Sequence, residues 1–85
     1  MGETRWFPCV AAVEWHSGAR GMERPAALRL GEERLEVVVE DSWVAGSATA
    51  GDPTARVFLV RDPTRRRWRV LAHGSGAVGV EREGG

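Results

Sequence analysis

The stretch that most constrains this chain runs from Ala55 to Ala72, ARVFLVRDPTRRRWRVLA. It reads as two strands joined by a tight turn. Val57, Phe58, Leu59 and Val60 form an unbroken run of good β-formers. Asp62-Pro63-Thr64 then supplies turn chemistry: Pro presets φ for a turn position, and Asp can bond backbone just downstream of itself. Arg67-Trp68-Arg69-Val70-Leu71 returns as the second strand. Side chains alternate along a strand, so Trp68 and Val70 share one face and Arg67 and Arg69 the other.

Further strands are read on either side of this hairpin. Arg5–Trp15 is the first, with Phe7, Cys9, Ala11, Val13 and Trp15 on one parity. Pro8 cannot donate a ladder hydrogen bond and belongs at an edge, a bulge or a strand start. A helix over Val10–His16 would be short and without an N-cap. His16–Pro25 reads as a ten-residue loop, punctuated by Gly18 and Gly21. Ala26–Leu30 is a short strand, and Gly31-Glu32-Glu33 a hairpin turn. In Arg34–Val44, Leu35, Val37 and Val39 alternate with polar residues until Val38 interrupts the pattern, and Trp43 is expected to anchor the end of the core. Residues 46–54 read as a flexible loop. Gly74-Ser75-Gly76 reads as a turn, Ala77–Arg82 as a last strand, and Glu83-Gly84-Gly85 as a frayed tail. The expected fold is a single all-β domain over residues 1–85: a small antiparallel barrel or strongly curved sheet of five to six short strands.

Composition narrows the class. The apolar share of 42% suits a globular chain. No apolar run approaches the roughly 20 residues of a membrane span. No secretory leader pattern opens the sequence. Cys9 is the sole cysteine, which excludes an internal disulfide and fits a reducing cytoplasm. All 12 basic residues are Arg, and Lys, Asn, Gln, Ile and Tyr are absent. GC-rich coding gives Arg for Lys, and a heat-adapted host disfavours thermolabile amides. The arginine count therefore speaks first of the host.

The net charge is zero but segregated. Gly31–Asp41 carries Glu32, Glu33, Glu36, Glu40 and Asp41 against Arg34. Ala55–His73 carries Arg56, Arg61, Arg65, Arg66, Arg67 and Arg69 against Asp62. One reading pairs an acidic strand with a basic one across the sheet, at a few tenths of a kcal/mol per pair. The other treats the Arg65–Arg69 run, with Arg56 and Arg61, as a ligand-binding surface. Arg grips phosphate bidentately and an exposed Trp68 would stack a base. An acidic protein surface is a third occupant of the same face.

Arg24-Pro25, Gly31, the strand from Leu35 to Trp43, the apolar strand from Val57 to Arg61 and the Arg67-Trp68-Arg69 return together resemble small bacterial β domains of unknown function. The resemblance spans about residues 24–72 and implies a small β fold without implying an activity.

Other signals are weaker. Gly74-Ser75-Gly76-Ala77-Val78-Gly79 spells G-x-G-x-x-G, but too few residues follow it to open a βαβ unit. Cys9, His16 and His73 show neither triad nor zinc spacing. Gly84-Gly85 matches the diglycine end of ubiquitin-like sulfur carriers, whose β-grasp fold needs a helix this sequence does not predict. Four Trp are a large load for so short a chain: exposure of Trp6, Trp15 or Trp43 would point to an interface, and edge strands to a homodimer. The sequence thus leads to a non-enzymatic binding module without cofactor or metal. Its alternative is a homo-oligomeric structural protein whose arginines pair internally with Glu36, Glu40 and Asp41.

Overall fold

A computed structural model describes residues 5–17, 23–45, 55–73 and 76–84. Among these residues there are eight strands and no helix. They are β1 (Arg5–Cys9), β2 (Ala12–Ser17), β3 (Glu23–Leu30), β4 (Glu33–Glu36), β5 (Val38–Ala45), β6 (Ala55–Arg61), β7 (Arg67–His73) and β8 (Val78–Gly84). They build two antiparallel sheets, one of five strands in the order β1-β8-β7-β6-β5 and one of three in the order β2-β3-β4. Among the described residues no helix is long and apolar enough to cross a membrane.

Two of the expected strands are each divided between the sheets. Arg5–Trp15 breaks after Cys9: β1 pairs with β8, while β2 pairs with β3. Val10, 99% exposed, marks the corner. Arg34–Val44 breaks at Val37, where β4 leaves the small sheet and β5 enters the large one. This is where Val38 disturbs the alternation, because the chain turns from one sheet to the other there. The count rises from the expected five or six to eight for this reason.

The core lies between the sheets. Phe58, Val60, Trp68, Val70 and Val80 of the large sheet bury against Leu28 and Val37, with Val13, Trp15 and Leu35 packed at the margin. Trp15 meets Phe58 edge-on, ring centres 5.8 Å apart. Such a contact adds about 0.5–1.5 kcal/mol beyond area burial.

Other boundaries also move. Of the loop expected over His16–Pro25, His16 and Ser17 belong to β2 and Glu23–Pro25 to β3, while residues 18–22 lie outside the described residues. Pro25 sits where the β2–β3 register shifts, a position that tolerates a missing N–H. Pro8 lies on an edge strand, as expected. Leu30 pairs with Glu33 across Gly31 and Glu32. Gly31 has φ +61° at the first loop position, which a II′ hairpin turn gives to Gly. The tail expected to fray is strand as far as Gly84, paired with Arg5. An added Cβ at Gly84 would overlap the Phe7 ring, so that ring closes over bare backbone. The stretch 46–54 expected to be a flexible loop, Gly74, Ser75 and Gly85 lie outside the described residues.

Trp43 is the clearest departure. It does not anchor the core but is 40% exposed. The β5–β6 register shifts between Val39 and Asp41, leaving Glu40 as the extra residue of a bulge. A one-residue slip sends every later side chain to the other face. Val39 therefore faces the core and Trp43 faces away from it.

Candidate functional site

The arginine hairpin is built on Asp62, a buried carboxylate. Its Oδ1 accepts the Thr64 N–H at 2.8 Å, the Thr64 hydroxyl at 2.6 Å and the Arg66 N–H at 3.0 Å. Its Oδ2 accepts the Trp68 indole N–H at 3.0 Å. Backbone bonds from Arg65 N–H to the Asp62 carbonyl and from Asp62 N–H to the Arg66 carbonyl, 3.0 Å each, close the turn. Arg65 carries φ +70°, the left-handed position of a three-residue hairpin loop, where Gly is the usual occupant. Burial raises the Asp62 pKa; the hydrogen bonds from Thr64, Trp68 and Arg66 outweigh that and hold it below the ordinary Asp value.

This arrangement decides the place of Trp68. It is 3% exposed, its ring in the core and its N–H spent on Asp62. No face of it is offered to a base.

The candidate arginines do not form one surface. Arg61 and Arg67 stand opposite each other on β6 and β7, on the sheet face away from the core. Glu40 of the bulge lies between them, its Oε2 hydrogen-bonded to Arg61 and its Oε1 3.2 Å from Arg67 Nε. The Arg67 contact is an ion pair without hydrogen-bond alignment, since Oε1 has no hydrogen-bond partner. The Arg61 hydrogen bond lowers the Glu40 pKa, burial opposes it, and both guanidinium charges add to the lowering. Arg69 gives its Nε to Glu81 at 2.9 Å, and its guanidinium carbon lies 4.4 Å from the centre of the Trp6 ring. A cation–π contact at such a site adds about 0.5–1 kcal/mol.

Arg65 and Arg66 are exposed on the turn, and Arg56 is exposed on the strand face opposite Arg61. Among the described residues no carboxylate pairs with these three. The small sheet closes its outer face in the same manner as the large one. Glu14 accepts from Arg34 Nε at 3.0 and 3.1 Å and lies 3.6 Å from Arg29. That Glu14 bond, ahead of its charge and of Glu36, raises the Arg34 pKa further.

Sequence reasoning missed Glu81 and Trp6 as partners of Arg69. Their contact depends on β1 and β8 meeting at the sheet edge, a pairing of the first and last strands that no local signal announces. It named Glu40 as a partner but not its place in a bulge. Glu36 pairs instead with Arg34, 3.5 Å away, and Asp41 with the Ser42 N–H at 2.8 Å.

Two open clefts flank the Val37–Val38 corner. One, of about 460 Å³, lies between Glu36, Val38, Arg61 and Pro63. The other, of about 340 Å³, lies between Arg24, Pro25, Val37 and Val39. Among the described residues no three His, Cys, Asp or Glu side chains converge to hold a metal ion. Cys9 is half-buried, a small apolar side chain at the core margin. No family model, no curated protein and no solved structure matches this chain.

Proposed function

We propose that this chain is a non-enzymatic structural and interaction module whose arginine-bearing sheet face is closed on itself. Glu40 carries this reading. It is the extra residue of a bulge and sits between the two arginines that would otherwise face each other as like charges. Arg69 is engaged in the same way by Glu81. A face whose cations are neutralised within the sheet has little left with which to displace counterions from a phosphate backbone. With Trp68 buried, stacking on a base from this hairpin is lost as well.

A second reading rests on Arg65 and Arg66. Both are exposed on a turn held by Asp62, and Arg65 occupies a left-handed conformation that a non-Gly residue adopts at a cost. Those two side chains would contact a nucleic acid or an acidic protein surface. The sulfur-carrier reading has less behind it. Gly84 is held in β8 beneath Phe7 and does not extend as a free tail.

The two sheets share two continuous chain segments, one through Val10-Ala11 and one through Val37. We read them as one six-segment barrel, splayed at the Val37 corner.

The test is a titration with single- and double-stranded DNA and RNA at low and moderate salt, on the wild type and on the Arg65→Ser, Arg66→Ser, Arg67→Ser triple variant. The proposal expects no saturable, salt-sensitive response, and a lower melting temperature for the variant because Arg67 leaves Glu40. Saturable binding that weakens steeply with salt, and is lost in a variant of unchanged melting, overturns it in favour of the second reading.

A further inference from the structure

One edge of the large sheet is β1, which carries Pro8; the other is β5, and its hydrogen-bonding phase is fixed by the hairpin on the other side of β6. The Asp62 N–H bonds the Arg66 carbonyl, so Asp62 directs its backbone groups toward β7. Backbone groups alternate sides along a strand, and Val60, Phe58 and Arg56 therefore point toward β7 too. Val57 and Leu59 point the other way and bond Trp43 and Asp41 of β5. Ser42 and Val44 stand opposite Phe58 and Arg56. Their own N–H and C=O groups consequently point away from β6, off the sheet. The Ser42 N–H agrees with this: it donates to the Asp41 carboxylate at 2.8 Å rather than needing a ladder partner.

Beyond the bulge, then, Asp41–Ala45 is an edge with two residues presenting backbone donors and acceptors outward. No described strand pairs with that side. The segment has no Pro, no Gly and no basic residue. Trp43 and Val44 on it are 40% and 57% exposed. Native edges that stay single are usually short, proline-bearing, charged or bulged, and beyond the Glu40 bulge this one carries a single charge, Asp41.

We propose that this edge pairs with the same edge of a second copy, antiparallel about a two-fold axis at Trp43. The proposal rests on the interaction-module reading above and names its partner. Within Asp41–Ala45, only a register centred on Trp43 uses both outward residues. Ser42 then faces Val44 of the other copy, and Val44 faces Ser42, giving four backbone hydrogen bonds across the axis. The same register sets Trp43 against its own copy as a cross-strand aromatic pair on the outer face. It sets Asp41 against Ala45, so no like charges meet. A register centred on Ser42 pairs that residue with itself and brings Val44 against the Glu40 bulge. Asp41 releases the Ser42 N–H when the partner carbonyl arrives. The result is a continuous ten-stranded sheet made from two five-stranded ones, an isologous contact of the kind that closes on itself.

The test is sedimentation equilibrium across a wide concentration range on the wild type and on two single variants, Val44→Pro and Trp43→Lys. Val44→Pro removes an N–H that points off the sheet and leaves the β5–β6 ladder intact, a placement Pro tolerates on an edge. Trp43→Lys sets two positive charges opposite each other across the axis. The wild-type mass is expected to rise toward twice the 9.3 kDa of the chain, and both variants to stay at one chain mass with unchanged far-ultraviolet circular dichroism. A wild type that remains monomeric at the highest concentration overturns the proposal. So does a wild-type dimer that survives in both folded variants, which would leave the interaction-module reading standing but move its interface elsewhere. Should one variant lose its fold, the other decides.

Discussion

The Asp62 carboxylate and the Trp68 indole are joined six residues apart, Oδ2 to Nε1 at 3.0 Å, with both groups buried. This bond ties the turn of the central hairpin to the core side of its second strand. Asp62→Ala removes the acceptor for Thr64, Arg66 and Trp68 together and leaves the indole N–H buried and unpaired. The expected loss is about 3 kcal/mol. Denaturant unfolding followed by tryptophan emission measures it, and Asp62→Asn, which retains an acceptor oxygen, should fall between the variant and the wild type.

Acid should weaken the fold through the same residue and through Glu40. Both carboxyls are held below their ordinary pKa in the folded chain. A depressed pKa adds stability above the unfolded value, and that stability is lost as pH falls through the folded value. Stability from Asp62 and Glu40 is therefore full at neutral pH and declines below the ordinary carboxylate range, near pH 4. Urea midpoints recorded from pH 7 down to pH 2 should show that decline. The double variant Asp62→Asn, Glu40→Gln should show a flatter profile.

Arg65 offers a gain in stability. At φ +70° its Cβ crowds the backbone, whereas Gly occupies that region freely. Arg65→Gly should stabilise the protein by about 0.5–1 kcal/mol, the side-chain relief being partly offset by a looser unfolded chain. Arg66→Gly, one position on and without positive φ, should give no gain. If the two variants melt alike, Arg65 is not strained in solution.

Gly84 has no room for a side chain beneath Phe7. Gly84→Ala should cost about 0.5–1 kcal/mol, since the overlapping atoms are the outer edge of a 45% exposed Phe7 ring that can swing off its rotamer. Combined with Phe7→Ala the cost should shrink, since the overlapping ring is gone. Additive losses in that double-mutant cycle would mean that Phe7 does not lie over the glycine.

Glu40→Gln tests the closed arginine face directly. It removes the charge that Arg61 and Arg67 share, and two guanidinium groups are left unneutralised on adjacent strands. The variant should elute from a heparin column at higher salt than the wild type and should melt lower. Identical elution would mean that Glu40 does not shield these arginines.

The hairpin was readable because its signals are local. The Asp62-Pro63-Thr64 turn and the parity of Trp68 with Val70 follow from turn chemistry and a period of two, and the structure keeps both. Trp43 was misplaced because a single bulged residue, Glu40, reverses the parity that Leu35 and Val39 establish. Nothing in the residue types around Glu40 announces a bulge. The divided strands were illegible for a related reason. Val10 and Val37 are both good strand residues, and only the tertiary arrangement makes them corners. The internal pairing of the arginines was legible as an idea, through charge segregation, but its partners were not. Which acid meets which arginine depends on register, and the β1–β8 register that brings Trp6 beside Arg69 joins the first and last of the described strands.

That pairing of Arg5 with Gly84 sets the order in which the molecule can be completed. The hairpins β6–β7 and β3–β4 can form as soon as their own residues exist. β1 cannot, because its partner in the sheet, β8, follows every other described strand. A chain emerging residue by residue therefore carries β1 unpaired until Gly84 has been added, with Trp6 and Cys9 uncovered meanwhile. Synthesis that stops short of β8 should yield a species that sticks to chaperones or to its own kind, since long-range closure of this sort comes late and leaves apolar edges waiting.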